Sequence, residues 1–336
     1  MNKNKVIVML SGGLDSTLAA KLMIEQGLDV IAYNMTSMFC TCTPKKGGCN
    51  SLAVQMAKQL GIEIVVQAKG DDYLEIVRKP RFGYGSGLNP CMDCRTYTFE
   101  KAKELMKERG AVCIVTGEVL GQRPMSQRMK AMELIERAAG LEGKVLRPLS
   151  AHLFPETEVE KAGIIDRSKL LAIKGRGRKE QIELAKDKDL MGFSCGTGGC
   201  LLTDQNMKKK MLDLYAHHEK VTMPDVRRLR YGRHFRFPGK IKVILGRNEA
   251  ENQQLAMERR DTEFTAMPID IPGPTVLVEA LPSQKMVELA ANMMAAFAKS
   301  SDGQPILIEL SDSNGKRQIT IPVKAIDYEQ YWISKE

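Results

Sequence analysis

The chain of 336 residues contains no apolar run that approaches the roughly 18 residues needed to cross a bilayer. It also contains no internal repeat and no low-complexity tract. The first residues lead directly into an apolar strand, which is not the pattern of a signal peptide. We therefore expect a cytoplasmic protein with no membrane partner. The length predicts two or three domains, and an apolar content of 43% is ordinary for a protein with proper cores.

The most informative stretch lies almost at the start of the chain. Residues 6–10 are an apolar run typical of a buried parallel strand, and residues 11–17 indicate a tight turn that opens a helix. Gly12 and Gly13 carry no side chains, so the backbone can approach a ligand closely, and a helix N-terminus favours an anion there. The turn lacks the Lys of a Walker loop and the spacing of a dinucleotide fingerprint. The sequence therefore predicts a phosphate cradle of another type, with a plain turn as the alternative.

Apolar strands alternate with helical segments after this turn. Strands at 30–33 and 62–66 flank a helix at 52–60, which implies an α/β fold with a doubly wound parallel sheet. Ligands bind such sheets at the carboxyl ends of the strands. The polar segment 116–127 follows a strand at 112–115, so we expect it to form a wall of the same site. Beyond residue 238, short strands and one helix at 283–299 predict a separate α+β domain.

Eight cysteines in a cytoplasmic chain favour metal binding or catalysis over disulfides. Cys91 and Cys94 open a helix, whose N-terminus stabilises a thiolate that can act as nucleophile or metal ligand. Cys113 lies inside an apolar strand and is expected to be an inert core residue. Thiolate ligation suits zinc or an iron–sulfur cluster, and spacing alone does not choose between them. The remaining cysteines form two loop groups, which are Cys195 with Cys200, and Cys40 with Cys42 and Cys49.

Positive charge is concentrated in one window of the sequence. Residues 206–247 contain twelve Lys and Arg against three acidic residues, so this window accounts for the net charge of +9. Within it, residues 227–237 interleave five arginines with three aromatics, which could neutralise phosphates and stack on unpaired bases. The window predicts RNA binding, with a solvated basic linker as the alternative. The candidate contacts are Arg227, Arg228, Arg230, Arg233, Arg236, Lys242 and Arg247.

Several motifs resemble known families when taken together. The pattern Ser-Gly-Gly-x-Asp-Ser at 11–16 resembles the pyrophosphate-binding (PP) loop of ATP pyrophosphatases. With residues 116–118, 120–122, 126–127 and 146–149, it is similar to the pyrophosphatase domain of tRNA 4-thiouridine synthases. The pattern Asn-Pro-Cys-x-x-Cys at 89–94 looks more like the tRNA 2-thiouridylases, whose later cysteine would correspond to Cys200. Residues 238–330 resemble the small RNA-binding domain of NFACT-type proteins in segments 242–248, 261–264 and 270–276.

The resemblance implies three regions in the chain. These are a PP-loop ATP pyrophosphatase domain at 1–165, a cysteine-bearing and basic connecting region at 166–237, and an NFACT-like RNA-binding α+β domain at 238–336. It also implies ATP-dependent tRNA thiolation, in which a uridine oxygen is adenylated and sulfur then displaces AMP. The implied catalytic residues are Asp15, Cys91, Cys94 and Cys200. ATP is expected at Ser11, Gly12, Gly13, Asp15, Ser16, Thr17, Thr116, Gly117 and Gln122, with Mg²⁺ shared by its phosphates.

The sequence leaves two routes open for the transfer of sulfur. Sulfur arrives either as a persulfide on Cys91 or Cys200, or through a 4Fe–4S cluster held by Cys91, Cys94 and Cys200, with Cys195 as an alternative ligand. We expect the cluster, because no rhodanese-type domain is evident and the cysteines exceed what a persulfide relay needs. Zinc is the alternative metal, and Cys40, Cys42 and Cys49 form a second candidate metal group.

We expect 4-thiouridine rather than 2-thiouridine as the product. The expected partners are tRNA and a sulfur donor, either sulfide or a cysteine desulfurase, and the sequence leaves a homodimer open. One alternative is an ATP pyrophosphatase that acts on a small molecule, such as a 7-cyano-7-deazaguanine synthase with structural zinc. Another is a non-catalytic RNA-binding adaptor. The basic window argues against the first alternative, and the intact glycine loop argues against the second.

Overall fold

The computed structural model describes residues 4–41, 48–193, 199–298 and 304–334, with side chains omitted at 48–51. The chain forms two compact units, Met1–Thr203 and Asp204–Glu336. Each unit has its own hydrophobic core. The segment 166–237, expected as a connecting region, is divided between them, because the boundary falls between Thr203 and Asp204.

A parallel sheet forms the centre of the first unit. Its described strands are β1 (Lys5–Met9), β2 (Asp29–Thr36), β3 (Glu63–Ala68), β4 (Cys113–Thr116) and β5 (Val145–Leu146). They pair in the order β3-β2-β1-β4-β5, and every pair is parallel. The predicted doubly wound α/β fold is therefore confirmed.

The strand order places a crevice between β1 and β4. From β1 the chain moves outward to β2 and β3, then returns to the other side of β1 to form β4 and β5. Strand order reverses at this point, and ligands bind in α/β sheets at the carboxyl ends of the strands beside such a reversal. The turn after β1 and the segment after β4 consequently lie next to each other.

Helices cover both faces of this sheet. They are α1 (Leu14–Glu25), α2 (Gly48–Leu60), α3 (Asp72–Arg78), α4 (Cys91–Arg109), α5 (Met129–Ala139), α6 (Glu158–Lys161) and α7 (Lys179–Asp187). Alternate residues of β1 enter different cores: Val6 and Val8 join one cluster, while Ile7 and Met9 join the other. Burial on both faces explains why β1 is apolar without alternation.

The second unit is built on an antiparallel sheet. Its described elements are α8 (Gln205–His217), α9 (Met223–Arg228), β6 (Arg233–Phe237), β7 (Ile241–Leu245), α10 (Glu249–Met257), β8 (Phe264–Pro268), β9 (Val276–Val278), α11 (Gln284–Phe297), β10 (Ile306–Asp312) and β11 (Gly315–Ile321). The strands pair in the order β11-β10-β8-β9-β7-β6. The predicted α+β domain is confirmed, although helix α10 adds to the single helix expected. None of the described helices in either unit has the length and apolarity required to span a membrane.

Candidate active site and basic segment

Two glycines bring backbone segments together at the crevice. Gly12 has a φ of +76°, and a Cβ there would lie 2.6 Å from the carbonyl carbon of Leu52. A Cβ at Gly117, directly after β4, would lie 2.5 Å from the carbonyl oxygen of Asp15 and from the nitrogen of Ser16. Only glycine fits either position without a backbone shift. The candidate residue Gly117 therefore acts by allowing close approach to the glycine loop.

Hydroxyl groups hold the loop of residues 11–17 in shape. The Ser16 hydroxyl accepts a hydrogen bond from the Ser11 backbone N–H at 3.2 Å and donates to the Gly13 carbonyl at 3.0 Å. Thr17 Oγ1 also donates to the Gly13 carbonyl, at 3.0 Å. Thr17 is fully buried. It therefore anchors the start of α1, whereas Ser11 and Ser16 line the cavity.

Asp15 carries an unpaired carboxylate oxygen at this loop. Gln122 Nε2 donates to Asp15 Oδ2 at 3.0 Å, whereas Oδ1 is buried without a hydrogen-bond partner among the described residues. Burial raises the pKa of Asp15, and this effect exceeds the opposing effects of Gln122, Arg178 and Arg123. A carboxylate oxygen beside a phosphate cradle is a suitable donor for Mg²⁺. The surroundings of Asp15 therefore fit a Mg²⁺ ion shared with the phosphates of a bound ATP.

A cavity of about 600 Å³ joins the loop to the cysteines. Its volume is in the range of ligand pockets. The lining includes Ser11, Gly13, Asp15, Ser16, Cys40, Cys91, Cys94, Arg95, Thr116, Gly117, Glu118, Gln122, Arg123 and Arg178. Candidate nucleotide-binding residues and three thiols that are far apart in the sequence therefore surround one space.

Backbone pairing brings the Cys200 segment to the same wall. Cys40 and Cys200 form an antiparallel bridge, in which the Leu201 N–H donates to the Phe39 carbonyl at 2.7 Å. On the other side, the Leu88 N–H donates to the Leu202 carbonyl at 2.7 Å, just before α4 begins. Burial, with smaller contributions from the nearby thiols of Cys94 and Cys91, raises the pKa of Cys200 to about 11. Cys91, Cys94 and Cys200 are therefore electrostatic neighbours.

Lys69 is a site residue that the sequence did not reveal. Its ammonium lies 2.7 Å from Cys94 Sγ and 4.0 Å from the ring centre of Tyr73. Burial alone would raise the pKa of Cys94. The charge and hydrogen bond of Lys69, together with the Tyr73 hydroxyl, instead hold it below its ordinary value. Cys94 is thus the thiol best prepared to act as a thiolate.

The structure tests the cysteine groups only in part. Cys42 and Cys195 lie outside the described residues, and the side chain of Cys49 is not described either. Within the described part of the chain, no three Cys, His, Asp or Glu side chains are grouped to hold a metal ion. The all-thiol set of Cys91, Cys94 and Cys200 matches the donor chemistry of an iron–sulfur cluster. Cys113 is fully buried in β4 with a pKa raised to about 12, as its predicted inert role requires.

A buried chain of charges supports the part of the cavity wall that contains Arg95 and Thr116. Glu118, at the end of β4, accepts from Arg95 Nε at 2.7 Å and from Arg147 Nε at 3.2 Å. Burial would raise the pKa of Glu118, but the two guanidinium groups outweigh it and lower that pKa. Arg95 also donates to Thr116 Oγ1 at 2.9 Å. The predicted nucleotide residue Thr116 is therefore fixed by Arg95, which itself lines the cavity.

The basic segment of the second unit differs from the prediction at two of its seven cations. Arg228 is buried and forms a bidentate pair with Glu263, at 2.7 and 2.9 Å. Lys242 is also buried and is paired with Asp213. Neither side chain has surface to offer to a phosphate, so the RNA-contact role predicted for these two residues is wrong. Both stabilise the fold instead.

The other candidate cations retain some exposure. Arg227 and Arg247 are exposed, while Arg230, Arg233 and Arg236 are half-buried. Arg236 pairs with Asp213 through bonds of 3.0 and 2.8 Å, and Arg247 pairs with Glu251. Arg227 is therefore the clearest surface cation of the predicted set. The window also exposes cations that the prediction did not single out, among them Lys209, Lys220 and Lys240.

Two of the three aromatics of this segment are core residues, which corrects the base stacking predicted for them. Phe235 is fully buried and Phe237 nearly so. Their ring centroids lie 5.1 Å from Trp332 and 4.6 Å from Tyr331, respectively. Phe235 and Phe237 thus share one face of the edge strand β6, whereas Arg236 between them lies on the other face.

Comparison with known proteins assigns both units. Residues 1–166 match the family model of the thiamine biosynthesis protein ThiI, and residues 232–333 match the NFACT protein RNA binding domain. A tRNA-specific 2-thiouridylase MnmA from Clostridium acetobutylicum is 35% identical over 128 residues, which is 35% of this chain and 36% of that relative. A protein of Methanosarcina mazei named "Probable tRNA sulfurtransferase" is 31% identical over 130 residues, 36% of this chain and 29% of that relative.

The chain spans about a third of the length of these curated relatives. Among solved structures, a 4-thiouridine synthetase–RNA complex with bound ATP aligns at 20% identity with a TM-score of 0.36, covering 67% of this chain and 52% of that chain. The two family matches agree with the resemblance inferred from the motifs. Residues 1–166 thus form a ThiI-family domain of the PP-loop fold, and residues 232–333 form an NFACT-type RNA-binding domain.

Proposed function

We propose that this protein is an ATP-dependent tRNA sulfurtransferase that converts a uridine to 4-thiouridine. One observation carries the proposal: the PP loop and the thiols of Cys40, Cys91 and Cys94 line the same cavity. An ATP pyrophosphatase without sulfur chemistry has no need of thiols there. The ThiI-family match and the names of the curated relatives support the same activity.

The loop of residues 11–17 serves the activation step. ATP phosphates bind its backbone N–H groups and the Ser11 and Ser16 hydroxyls, and Asp15 Oδ1 would hold a Mg²⁺ ion that neutralises phosphate charge. The uridine carbonyl oxygen attacks the α-phosphorus, and the bond to the bridging oxygen breaks to release pyrophosphate. A carbonyl oxygen leaves poorly by itself, whereas AMP leaves well. ATP cleavage therefore prepares the carbon for sulfur.

Cys94 and Cys200 serve the sulfur-transfer step in the persulfide version. The terminal sulfur of a Cys200 persulfide attacks the activated carbon, and AMP departs with the former carbonyl oxygen. The Cys94 thiolate, stabilised by Lys69, then attacks the Cys200 sulfur and releases thiouridine. This leaves a Cys94–Cys200 disulfide, which a dithiol must reduce before the next turnover.

The same thiols serve the cluster version, which we favour. Cys91, Cys94 and Cys200 would hold a 4Fe–4S cluster, which when bound offers one unligated iron to a sulfide ion. The residues of this chain then orient the adenylated uridine and exclude water. Either version takes its acceptor from RNA, in keeping with the NFACT-type domain at 232–333.

Separating the two half-reactions tests the proposal. With ATP, unmodified tRNA and a sulfur source, Asp15→Ala should form neither AMP nor thiouridine. Cys200→Ser should still release pyrophosphate in a tRNA-dependent way and leave adenylated tRNA, but it should form no thiouridine. Cys113→Ala, a cysteine control outside the cavity, should retain both steps. AMP formation that does not depend on tRNA would contradict the proposal.

Anaerobic reconstitution with iron and sulfide distinguishes the two sulfur routes. The cluster version predicts brown protein with cluster absorbance and an EPR signal after reduction, and loss of both in Cys91→Ser. Iron-free protein that thiolates tRNA with a persulfide donor would support the persulfide version instead.

A further inference from the structure

The basic loop of residues 174–178, Lys-Gly-Arg-Gly-Arg, has no role in the function described so far. Lys174 and Arg176 are exposed, while Arg178 is half-buried and lines the cavity. Arg178 also occupies the N-cap position of helix α7. The last residue of this loop therefore reaches the space that holds the PP loop.

Backbone bonds fix this loop against the segment that follows β4. Lys174 forms a parallel bridge with Leu120, and the Gly175 N–H donates to the Leu120 carbonyl at 2.7 Å. Ser150 ties both sides together: its hydroxyl accepts from the Leu120 N–H at 3.1 Å and donates to the Ile173 carbonyl at 2.6 Å. Arg178 and Arg123, one on each segment, therefore line the cavity from a connected backbone.

Both arginines share their cavity with the PP loop. Arg178 and Arg123 line it together with Ser11, Asp15 and Ser16. Gln181, fully buried in the first turn of α7, lies beside Asp15, yet neither of its amide atoms makes a hydrogen bond of normal geometry. The segments that carry Arg123 and Arg178 therefore present polar groups to the place where phosphates are expected.

Arg95, the third arginine that lines the cavity, is held in an ion pair. Arg95 is tied to Glu118 by a 2.7 Å ion pair, so much of its charge is neutralised locally. Arg123 and Arg178 line the cavity beside the PP loop, on the segments that follow β4 and precede α7. Once Asp15 holds Mg²⁺, positive charge dominates this end of the cavity. Its ligand must then be strongly anionic.

We propose that Arg123 and Arg178 form a second wall of the phosphate site, which binds the β- and γ-phosphates of ATP and stabilises pyrophosphate as it leaves. The proposal rests on the proposed function. Breaking the α–β bond leaves the electron pair on the bridging oxygen, so negative charge grows on the pyrophosphate. A guanidinium group offers paired N–H donors and a permanent charge to such oxygens.

Nucleotide binding to the full chain without tRNA tests the proposal. Arg178→Gln and Arg123→Gln should each weaken Mg·ATP binding about tenfold or more in calorimetry, because a charge-assisted bond to phosphate is lost. Both should leave AMP binding unchanged, since AMP lacks the β- and γ-phosphates. Arg176→Gln, an exposed neighbour that does not line the cavity, should bind both nucleotides as the unaltered protein does.

Two results would overturn the assignment. One is unchanged ATP affinity in both variants. The other is an equal loss of ATP and AMP affinity in variants whose thermal unfolding midpoint is unchanged. Unchanged ATP binding with weakened tRNA binding would show that the arginines contact RNA, which also overturns it. The binding assay contains no tRNA, so its result does not depend on thiolation. If the proposed function alone were wrong, the separate tRNA assay would yield no thiouridine, while both variants would still lose ATP binding and keep AMP binding.

Discussion

Lys69 sets the state of the Cys94 thiol at the residue scale. Lys69→Met removes the ammonium 2.7 Å from the sulfur while the burial of Cys94 remains. The pKa of Cys94 should therefore rise, and less thiolate should be present at neutral pH. The pH dependence of iodoacetamide alkylation at Cys94, followed by peptide mass spectrometry in iron-free protein, measures this shift.

The matched control for that experiment is Lys101→Met. Lys101 lies on the same helix as Cys94 but pairs with Glu104 near the surface. The pH dependence of Cys94 alkylation should be unchanged in this variant. An equally unchanged profile in Lys69→Met would contradict the electrostatic role of Lys69.

Glu118 is the residue whose loss should cost the first unit most stability. Glu118→Gln leaves Arg95 and Arg147 without their shared carboxylate, and breaking a buried ion pair costs about 3–5 kcal/mol of unfolding free energy. Glu142→Gln, which breaks an exposed pair with Arg137, should cost less than about 1 kcal/mol. Urea unfolding of both variants measures the difference, and equal costs would contradict it.

The same carboxylate should give the protein a distinct response to acid. The pKa of Glu118 is lower in the folded protein than in the unfolded chain. Its stabilising contribution is therefore complete above the unfolded value of about 4.3 and is lost as the pH falls through the folded value. Glu118→Gln should lose this part of the pH dependence of stability.

Site residues were predictable from sequence where a local motif marks them. Asp15 and the adjacent glycines, with Cys91 and Cys94, belong to short patterns whose chemistry can be read directly. Lys69 carries no such signal, because its contact with Cys94 joins residues 25 positions apart through the fold. The burial of Arg228 and Lys242 could not be predicted either. A basic run in the sequence shows the charge of each side chain but not the carboxylate with which it pairs in the fold.

At the scale of elements, the approach of β4 to the PP loop is a testable feature. Gly117→Ala would place a methyl group 2.5 Å from backbone atoms of Asp15 and Ser16, so the loop must move. A displacement of about 1 Å at a reacting centre can cost about 100-fold in rate. We expect tRNA-dependent AMP formation to fall by about that factor, as measured by the release of labelled AMP.

A second glycine variant controls for general destabilisation. Gly163→Ala introduces strain at a φ of +68°, but no described atom lies within 4 Å of the added carbon. It should lower stability by about 1 kcal/mol and leave the rate of AMP formation unchanged. A Gly117→Ala protein with normal AMP formation would contradict the close-approach argument.

The sequence predicted elements best where apolar periodicity is strong. β1 and α1 follow from an apolar run and a glycine turn, and both lie where expected. Helix α10 was missed because only Leu255 is buried among its nine residues, so it shows little apolar periodicity. The sequence predicted a doubly wound parallel sheet but not the order of its strands. The pairing of β4 with β1 depends on how helices pack on both faces of the sheet.

The whole molecule consists of two units with separate cores, and we expect residues 204–336 to fold and bind RNA alone. Two neighbouring arginines then separate binding from stability. Exposed Arg227→Gln should reduce the salt dependence of RNA binding by about one phosphate contact without changing stability. Buried Arg228→Gln should lower the unfolding free energy by about 3–5 kcal/mol. Equal effects of the two variants on stability would contradict the corrected set of RNA contacts.

Mass spectrometry of tRNA nucleosides tests the central claim most directly. Full-length protein, reconstituted anaerobically and supplied with ATP, sulfide and unmodified tRNA, should yield 4-thiouridine with one AMP for each thiouridine formed. The Asp15→Ala and Cys200→Ser proteins should yield none. Conversion of ATP to AMP and pyrophosphate with no thionucleoside in the tRNA would contradict the account.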